Sequence, residues 1–171
     1  LRIEAQQLEL YYFSGSNIFE VTTSQVFRDT SAWYHLVIAY DTTQATASNR
    51  VKYYINGEQV TSFATASYPN QNVEYNINNN TEQTIGLSGS NTPDCIMTHI
   101  HFIDGTAYDA DTFGETDATT GIWVPKTSPS VTYGTNGFFL KFASSGSMGT
   151  DSSGEGNDFT VNGTLTQTQD T

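Results

Sequence analysis

The stretch that decides the fold is residues 31–63, SAWYHLVIAYDTTQATASNRVKYYINGEQVTSF. Within it, residues 33–40 are apolar or aromatic at nearly every position, which predicts a strand covered on both faces. Farther along, two strand-like runs flank Asn56-Gly57. An Asn-Gly pair is the strongest short-range signal of a two-residue hairpin turn, because both residues tolerate a positive φ. The stretch therefore predicts a buried strand, a polar loop and a tight hairpin.

The rest of the chain shows short strand-like runs separated by turn residues. Further strands are predicted at residues 2–13 (one or two), 18–23, 84–87, 95–103, 137–142 and 159–165, with irregular chain at 64–81, a loop-rich segment at 106–135 and a short helix at 109–114 that Asp109 would cap. Strands do not alternate with long amphipathic helices, which argues against an α/β fold. This spacing predicts an all-β chain, a two-sheet jelly-roll β-sandwich.

The charge of the chain excludes several function classes. Of 171 residues, 6 are Lys or Arg and 18 are Asp or Glu, which gives a net charge of −12. Binding to a phosphate backbone needs clustered Lys and Arg, so we expect no nucleic-acid partner. No apolar stretch reaches the roughly 18 residues of a membrane span, so we expect no membrane insertion. The one cysteine, Cys95, cannot form a disulfide within the chain.

Several residues of the deciding stretch fill a recognisable pattern. Trp33, His35, Val37 and Asp41 read W-x-H-x-V-x-x-x-D, and residues 54–57 read Y-I-N-G. In these features, and in the strand and D-G-x-A-x-D turn of residues 100–109, the sequence resembles the laminin-G-like branch of the concanavalin A-like lectin/glucanase superfamily. The resemblance implies a concanavalin A-like sandwich. It says less about function, because this superfamily holds lectins, adhesion modules and hydrolases.

Two later segments resemble a narrower group of proteins. Residues 102–126, FIDGTAYDADTFGETDATTGIWVPK, and residues 133–165 are similar to structural proteins of tailed bacteriophages, especially marine ones. This resemblance implies a non-catalytic virion surface, tail-fibre or decoration module, located on the virion or outside the cell. Its partners would be neighbouring virion proteins or a cell-surface glycan, and it would form a homo-oligomer. The alternatives are a carbohydrate-binding module of a secreted bacterial protein and a purely structural capsid or fibre subunit.

The resemblance also suggests how the chain is divided. Residues 1–110 would form the laminin-G-like sandwich core, and residues 111–171 a loop-rich extension. Strands near residues 137–142 and 159–165 would complete the same sandwich. The alternative is that residues 137–171 begin a second module.

The side chains of one loop are spaced like the ligands of a bound cation. Asp151, Ser153, Glu155 and Asn157 alternate along DSSGEGN, with a glycine at the sixth position. Alternating oxygen ligands before a glycine are typical of the first half of a calcium loop, so calcium is the one cofactor that we consider. The acid expected at the twelfth position is replaced by Asn162. That gap favours the alternative, a solvated Gly/Ser turn between two strands.

Other polar clusters have ordinary structural interpretations. Asp104, Asp109 and Asp111 could form a second cation site, but short acids in such segments more often bond nearby backbone N–H groups. The three histidines, His35, His99 and His101, could bind zinc if their strands were adjacent. Polar positions on a sheet face are the favoured interpretation.

The chain lacks the motifs of hydrolases. The E-x-D-x-x-E strand motif of the hydrolytic superfamily members is absent, as are the G-x-S-x-G and H-E-x-x-H motifs, so we predict no enzyme. Sugar binding requires aromatic faces together with loop-borne hydrogen-bonding groups. The candidates are Tyr68, Asn70, Asn72 and Tyr108. Trp123 and Tyr133 are also aromatic, but Trp123 is better explained as core of the loop-rich segment.

Overall fold

A computed structural model describes residues 1–77, 80–86 and 95–168. Its strands are β1 (Arg2–Glu4), β2 (Gln7–Phe13), β3 (Asn17–Val26), β4 (Leu36–Tyr40), β5 (Val51–Ile55), β6 (Glu58–Gln59), β7 (Phe63–Ser67), β8 (Ile100–Phe102), β9 (Gly114–Thr116), β10 (Trp123–Pro125) and β11 (Phe138–Leu140). One helix, α1, spans Ala110–Phe113, and a single 3-10 turn spans Ala47–Asn49. The predicted all-β fold is confirmed. None of the helices among the described residues is long and apolar enough to cross a membrane.

The first compact unit, Leu1–Tyr75 with Ala107–Ser130, contains two larger antiparallel sheets besides the two-stranded pair β9–β10. One has the strand order β1-β2-β3-β7 and the other β4-β5-β6. Tyr53 of β5 joins them, since its hydroxyl donates to the Val21 carbonyl (2.7 Å) and accepts from the Leu10 N–H (2.9 Å). The core consists of large apolar side chains from both sheets: Leu8, Leu10, Phe19, Val21, Val51, Tyr53 and Ile55.

The predicted Asn-Gly hairpin is present between β5 and β6. Asn56 (φ 49°) and Gly57 (φ 85°) both lie in the left-handed region that a tight hairpin of this hand requires. A second tight turn joins β1 to β2 through Ala5 (φ 48°) and Gln6 (φ 68°). Neither residue type signals such a turn, so the sequence left open whether residues 2–13 form one strand or two.

Residues 107–130, which we call the strap, form part of the first unit. They contain α1 and the antiparallel pair β9–β10, with Trp123 opposite Thr116. Helix α1 lies within the predicted range 109–114, but Asp109 at its N-cap makes no capping bond; the Thr112 hydroxyl donates to its carboxylate instead (3.4 Å). Sequence analysis missed β9 and β10 because Asp, Thr and Gly dominate the strap.

The second compact unit, Asn76–Thr106 with Val131–Thr171, contains the antiparallel pair β8–β11. Its apolar contacts are mainly ring contacts. Phe102 stacks on Phe138 (5.2 Å between ring centroids), and His101 stacks on Phe139 (4.0 Å). Strand β11 confirms the strand predicted at 137–142. Whether it completes the same sandwich, and whether a boundary lies at residue 110, stay predictions.

Four sequence predictions about strands need correction. The strand predicted at 33–40 is shortened to β4, since residues 33–35 form no strand and Trp33 is 50% exposed. The strand predicted at 95–103 is reduced to β8, because His99 has a positive φ (49°) that interrupts extended chain. Residues 159–165 form no strand, and the Phe159 N–H donates to the Gly149 carbonyl (2.8 Å) in irregular chain. Residues 84–86 form no strand either, and residue 87 lies outside the described residues. Conversely, all of β7 except its first residue, Phe63, lies in the range 64–81 that was predicted to be irregular.

Candidate functional site

Two loops of the first unit, residues 41–50 and 68–75, are held together by one arginine; we call them the Arg50 loop cluster. The Arg50 guanidinium donates to three main-chain carbonyls: Gln44 (2.8 Å), Ala45 (2.9 Å) and Pro69 (3.0 Å). A planar guanidinium offers five donors in a fixed geometry, so it can bond several carbonyls at once. Arg50 therefore fixes the shape of the first loop and attaches it to the second.

Asp41 shapes the start of the first loop. Its carboxylate accepts from the Thr43 hydroxyl (2.6 Å), the Thr43 N–H (2.9 Å) and the Gln44 side-chain amide (2.6 Å). The hydrogen bonds from Thr43 and then Gln44 lower the pKa of Asp41. This carboxylate is a structural acceptor that stays ionised at neutral pH.

The second loop rests on buried side chains. Tyr75 is 8% exposed and packs on Tyr12 (5.0 Å between ring centroids) and Phe19 (5.2 Å) of the four-stranded sheet. Pro69 is fully buried, and the Asn72 N–H donates to the Thr42 carbonyl (2.9 Å) of the first loop. Buried side chains thus attach the loop to the sheet, while the side chains of Asn70, Gln71 and Asn72 are exposed.

The four predicted sugar-binding residues are divided between two places. Tyr68, Asn70 and Asn72 all lie on the second loop of the Arg50 loop cluster, with Tyr68 half-buried. Tyr108 lies in the strap, where its ring meets Phe113 edge-on (6.2 Å between centroids). That these residues bind sugar stays a prediction.

Tyr40 lies at the end of β4, directly before the first loop of the cluster. Among the described residues, its hydroxyl is the buried side-chain polar atom that has no hydrogen-bond partner. Burial, and next the nearby Tyr75, raises the pKa of this phenol. A buried, unsatisfied hydroxyl costs about 1–3 kcal/mol.

The predicted calcium loop lies in the second unit and is built around Asp151. One carboxylate oxygen accepts from the N–H groups of Phe139 and Ser153 (both 2.8 Å). The other accepts from the Ser153 hydroxyl (2.8 Å) and the Asn157 N–H (2.9 Å). Burial acts to raise the pKa of Asp151, but these hydrogen bonds outweigh it and the pKa is lowered.

These contacts do not fit a calcium cage. A carboxylate has about four lone-pair sites, and four protein donors occupy those of Asp151. The Asn157 amide donates to the Thr135 and Gly137 carbonyls (2.9 and 2.8 Å), while Glu155 is exposed. In the described part of the chain, no three His, Cys, Asp or Glu side chains cluster closely enough to hold a metal ion. The loop has the bonding of a structural turn, and calcium stays a prediction.

The other polar clusters fall into separate structural settings. His35 belongs to the first unit, whereas His99 and His101 belong to the second and both contact the Phe139 ring. Asp117 makes the turn bonds expected of a short acid, accepting from the N–H groups of Thr119 (3.0 Å) and Thr120 (2.7 Å).

Two residues of structural weight were missed or misjudged from sequence. Arg50 lies in no recognised motif. The available signal was that positively charged residues are scarce, since Lys and Arg account for only 6 of the 171 residues. Trp123 was assigned to the core of the loop-rich segment. Its indole N–H instead donates to Nδ1 of His35 (3.0 Å), a residue of the deciding stretch.

Comparison with known proteins gives one match. A laminin G family model, described as concanavalin A-like lectin/glucanases superfamily, matches residues 1–94. No curated protein and no solved structure matches the chain. The match says nothing of tailed bacteriophages, so that resemblance stays a prediction. Because the match covers more than half of the 171 residues, the chain belongs to the laminin-G-like part of the concanavalin A-like lectin/glucanases superfamily.

Proposed function

We propose that this chain is a non-catalytic binding module that holds a glycan at the Arg50 loop cluster. Membership of the superfamily suggests binding of carbohydrate or protein. The observation that carries the choice of surface is the set of three carbonyl bonds made by Arg50. They give two surface loops a fixed shape before any ligand arrives.

A fixed loop pair suits a ligand that offers many hydroxyl groups. Sugar hydroxyls bond to amide side chains, and the cluster exposes those of three consecutive residues, Asn70, Gln71 and Asn72. The Gln71 amide also donates to the Thr43 carbonyl (3.2 Å). Loops ordered in advance lose little entropy when the ligand binds. The half-buried ring of Tyr68 supplies an apolar contact on the same loop.

The chemistry of the cluster supports binding without hydrolysis. Glycoside hydrolysis requires a pair of carboxyl groups, one of which is held protonated. Asp41 accepts three hydrogen bonds and its pKa is lowered, so it is a poor proton donor. We therefore propose that the module has no catalytic role.

The setting that we propose is a virion surface or tail fibre, where a homo-oligomer would present several clusters at once. This setting rests on the similarity of residues 102–126 and 133–165 to structural proteins of tailed bacteriophages. The partners would be a cell-surface glycan or neighbouring virion proteins, outside the cell. We propose no bound cofactor, given the filled carboxylate of Asp151.

The test is a glycan array probed with the whole chain and two variants. The double variant Asn70→Ala/Asn72→Gly removes exposed amides from the cluster, with glycine at position 72 because Asn72 has a positive φ (57°). Gln59→Ala removes an exposed amide from β6 as a matched control. We expect the double variant to lose glycan binding at an unchanged Tm, while the control binds like the native chain. No glycan bound by the native chain, or equal binding by all three proteins, would contradict the proposal.

A further inference from the structure

The strap covers the outer face of the three-stranded sheet. Ile38 lies opposite Tyr53, whose hydroxyl reaches the other sheet, so alternation turns Val37 and its partner Tyr54 to the outer side. Val37 is nevertheless only 8% exposed. Tyr54 lies near Asp109 and Asp111 of the strap, and its pKa is raised first by burial and then by these two acids. The outer face is therefore covered by strap residues.

Trp123 attaches the strap to the sheet by close packing. A Cβ built on Gly57 or on Gly114 would lie within 3.0 Å of indole atoms of Trp123. Gly57 belongs to the β5–β6 turn and Gly114 to β9, so the indole packs on bare backbone from both elements. Such a fit leaves the ring little room for a second position.

A single acceptor atom orients that indole. Trp123 Nε1–H donates to Nδ1 of His35 (3.0 Å). His35 is held in turn by the hairpin, since its N–H donates to the Asn56 side-chain oxygen (2.8 Å) and its carbonyl accepts from the Asn56 N–H (2.9 Å). An imidazole nitrogen accepts a hydrogen bond only in the neutral ring, because both nitrogens of the imidazolium carry hydrogen.

We propose that the bond between His35 and Trp123 is an acid-sensitive latch, and that protonation of His35 releases the strap from the outer face of the sheet. In the protonated state two donors face each other at the position of the present bond. A half-buried positive charge without an acceptor is also unfavourable. Both effects push Trp123 away from Gly57 and expose Val37 and Tyr54.

Nearby charges do not prevent the protonation of His35, because most of the charged groups around it are acids. The titratable or charged side chains on the elements packed against His35 are Lys52 and Tyr54 of β5, Glu58 of β6, Glu115 of β9 and, in the adjoining parts of the strap, Asp109, Asp111 and Asp117. Burial is the cause that lowers the pKa of His35. The latch is therefore closed above about pH 6.5, the ordinary histidine value, and opens as the pH falls below it.

Tryptophan fluorescence tests the latch directly. The chain has 2 Trp residues, and Trp33 is 50% exposed, so Trp33→Phe leaves Trp123 as a single reporter with little expected effect on the fold. Between about pH 7.5 and pH 4 we expect a reversible red shift of its emission and stronger quenching by acrylamide, while the far-UV circular dichroism is unchanged. Adding His35→Gln, which does not titrate, should abolish the shift.

The matched control is His101→Gln, which removes the histidine bonded to the Tyr133 hydroxyl in the second unit (2.8 Å). The acid shift of Trp123 should persist in this variant. A shift that also persists in His35→Gln overturns the proposal. So does constant emission over a pH range in which NMR shows the His35 ring titrating.

A second variant covers the case in which His35→Gln does not fold. Trp123→Phe keeps a ring on the two glycines but removes the donor. In the native chain we expect proteolytic cleavage between β9 and β10 to increase in acid, and in Trp123→Phe we expect it to lose that pH dependence. Equal pH dependence in both proteins would contradict the latch.

Discussion

In each unit one polar side chain bonds to several backbone groups, but the side chain is a neutral phenol in the first unit and a carboxylate in the second. In the first, the neutral hydroxyl of Tyr53 joins two sheets through Leu10 and Val21. In the second, the carboxylate of Asp151 accepts hydrogen bonds from N–H groups of β11 and of the surrounding turn. A phenol keeps its proton up to about pH 10, whereas a carboxylate accepts fully only while it is ionised. The first unit should therefore tolerate acid better at its central bond than the second does.

Of the changes that test this difference between the units, Asp151→Ala should reduce the free energy of unfolding most. It leaves the N–H groups of Phe139, Ser153 and Asn157 without their acceptor. Hydrogen bonds to charged groups contribute about 1.5–3 kcal/mol each, and water replaces part of that here, so we expect a loss of about 3 kcal/mol. Hydrogen exchange read by mass spectrometry should show faster exchange in residues 137–159 and unchanged exchange in β2, β3 and β5. Equal acceleration in both units would remove the distinction.

Tyr53→Phe tests the other side of the comparison. The ring and its packing stay, but the Leu10 N–H and the Val21 carbonyl lose their partner inside the core. We expect a loss of about 2 kcal/mol in the free energy of unfolding, measured by urea denaturation. Tyr11→Phe, on the four-stranded sheet and half-exposed, is the matched control and should change stability little. A loss of equal size in the control would show that the bond to the other sheet is unimportant.

Acid titration sharpens the comparison without removing a side chain. The folded-state pKa of Asp151 lies below its unfolded value of about 3.9. Its contribution is therefore complete above that value and is lost as the pH falls through the folded pKa. We expect residues 137–159 to lose exchange protection before β5 does on going from about pH 5 to about pH 2. Asp151→Asn, which does not titrate, should reduce this difference in acid sensitivity between residues 137–159 and β5. If the difference is unchanged, other acids cause it.

Arg50→Lys should give the smallest effect of the four. A lysine ammonium cannot bond three separated carbonyls in the way the guanidinium does. We expect about 1 kcal/mol of lost stability, because the cluster is partly solvated, and faster exchange of the Asn72 N–H. Lys126→Arg, a conservative change elsewhere in the unit, serves as the control. An unchanged exchange rate at Asn72 would show that Arg50 does not order the second loop.

What the sequence could predict depended on how local its signals were. Asn56-Gly57 predicts its turn from two residues, and the apolar run at 33–40 predicts a strand of which the structure has residues 36–40. The turn at Ala5-Gln6 is imposed by the pairing of β1 with β2, against the preference of both residue types, so no local signal exists. His99 breaks an otherwise continuous strand pattern for the same kind of reason. Tertiary context decides these positions.

The candidate site shows the same limit. Tyr68, Asn70 and Asn72 lie on one loop, so their proximity could be inferred from numbering. The attachment of that loop to residues 41–50 by Arg50 depends on a contact between residues 19 positions apart. The bond between His35 and Trp123 spans 88 positions. Pairings over such distances leave no trace in a single sequence.

Tyr53 also gives the sandwich an optical signal in alkali. Burial is the main cause that raises the pKa of this phenol above its usual value of about 10. Deprotonation is therefore coupled to separation of the two sheets, and the stability it contributes is lost as the pH rises from the unfolded value toward the folded one. The absorbance of the phenolate that forms at Tyr53 therefore reports when the sandwich opens.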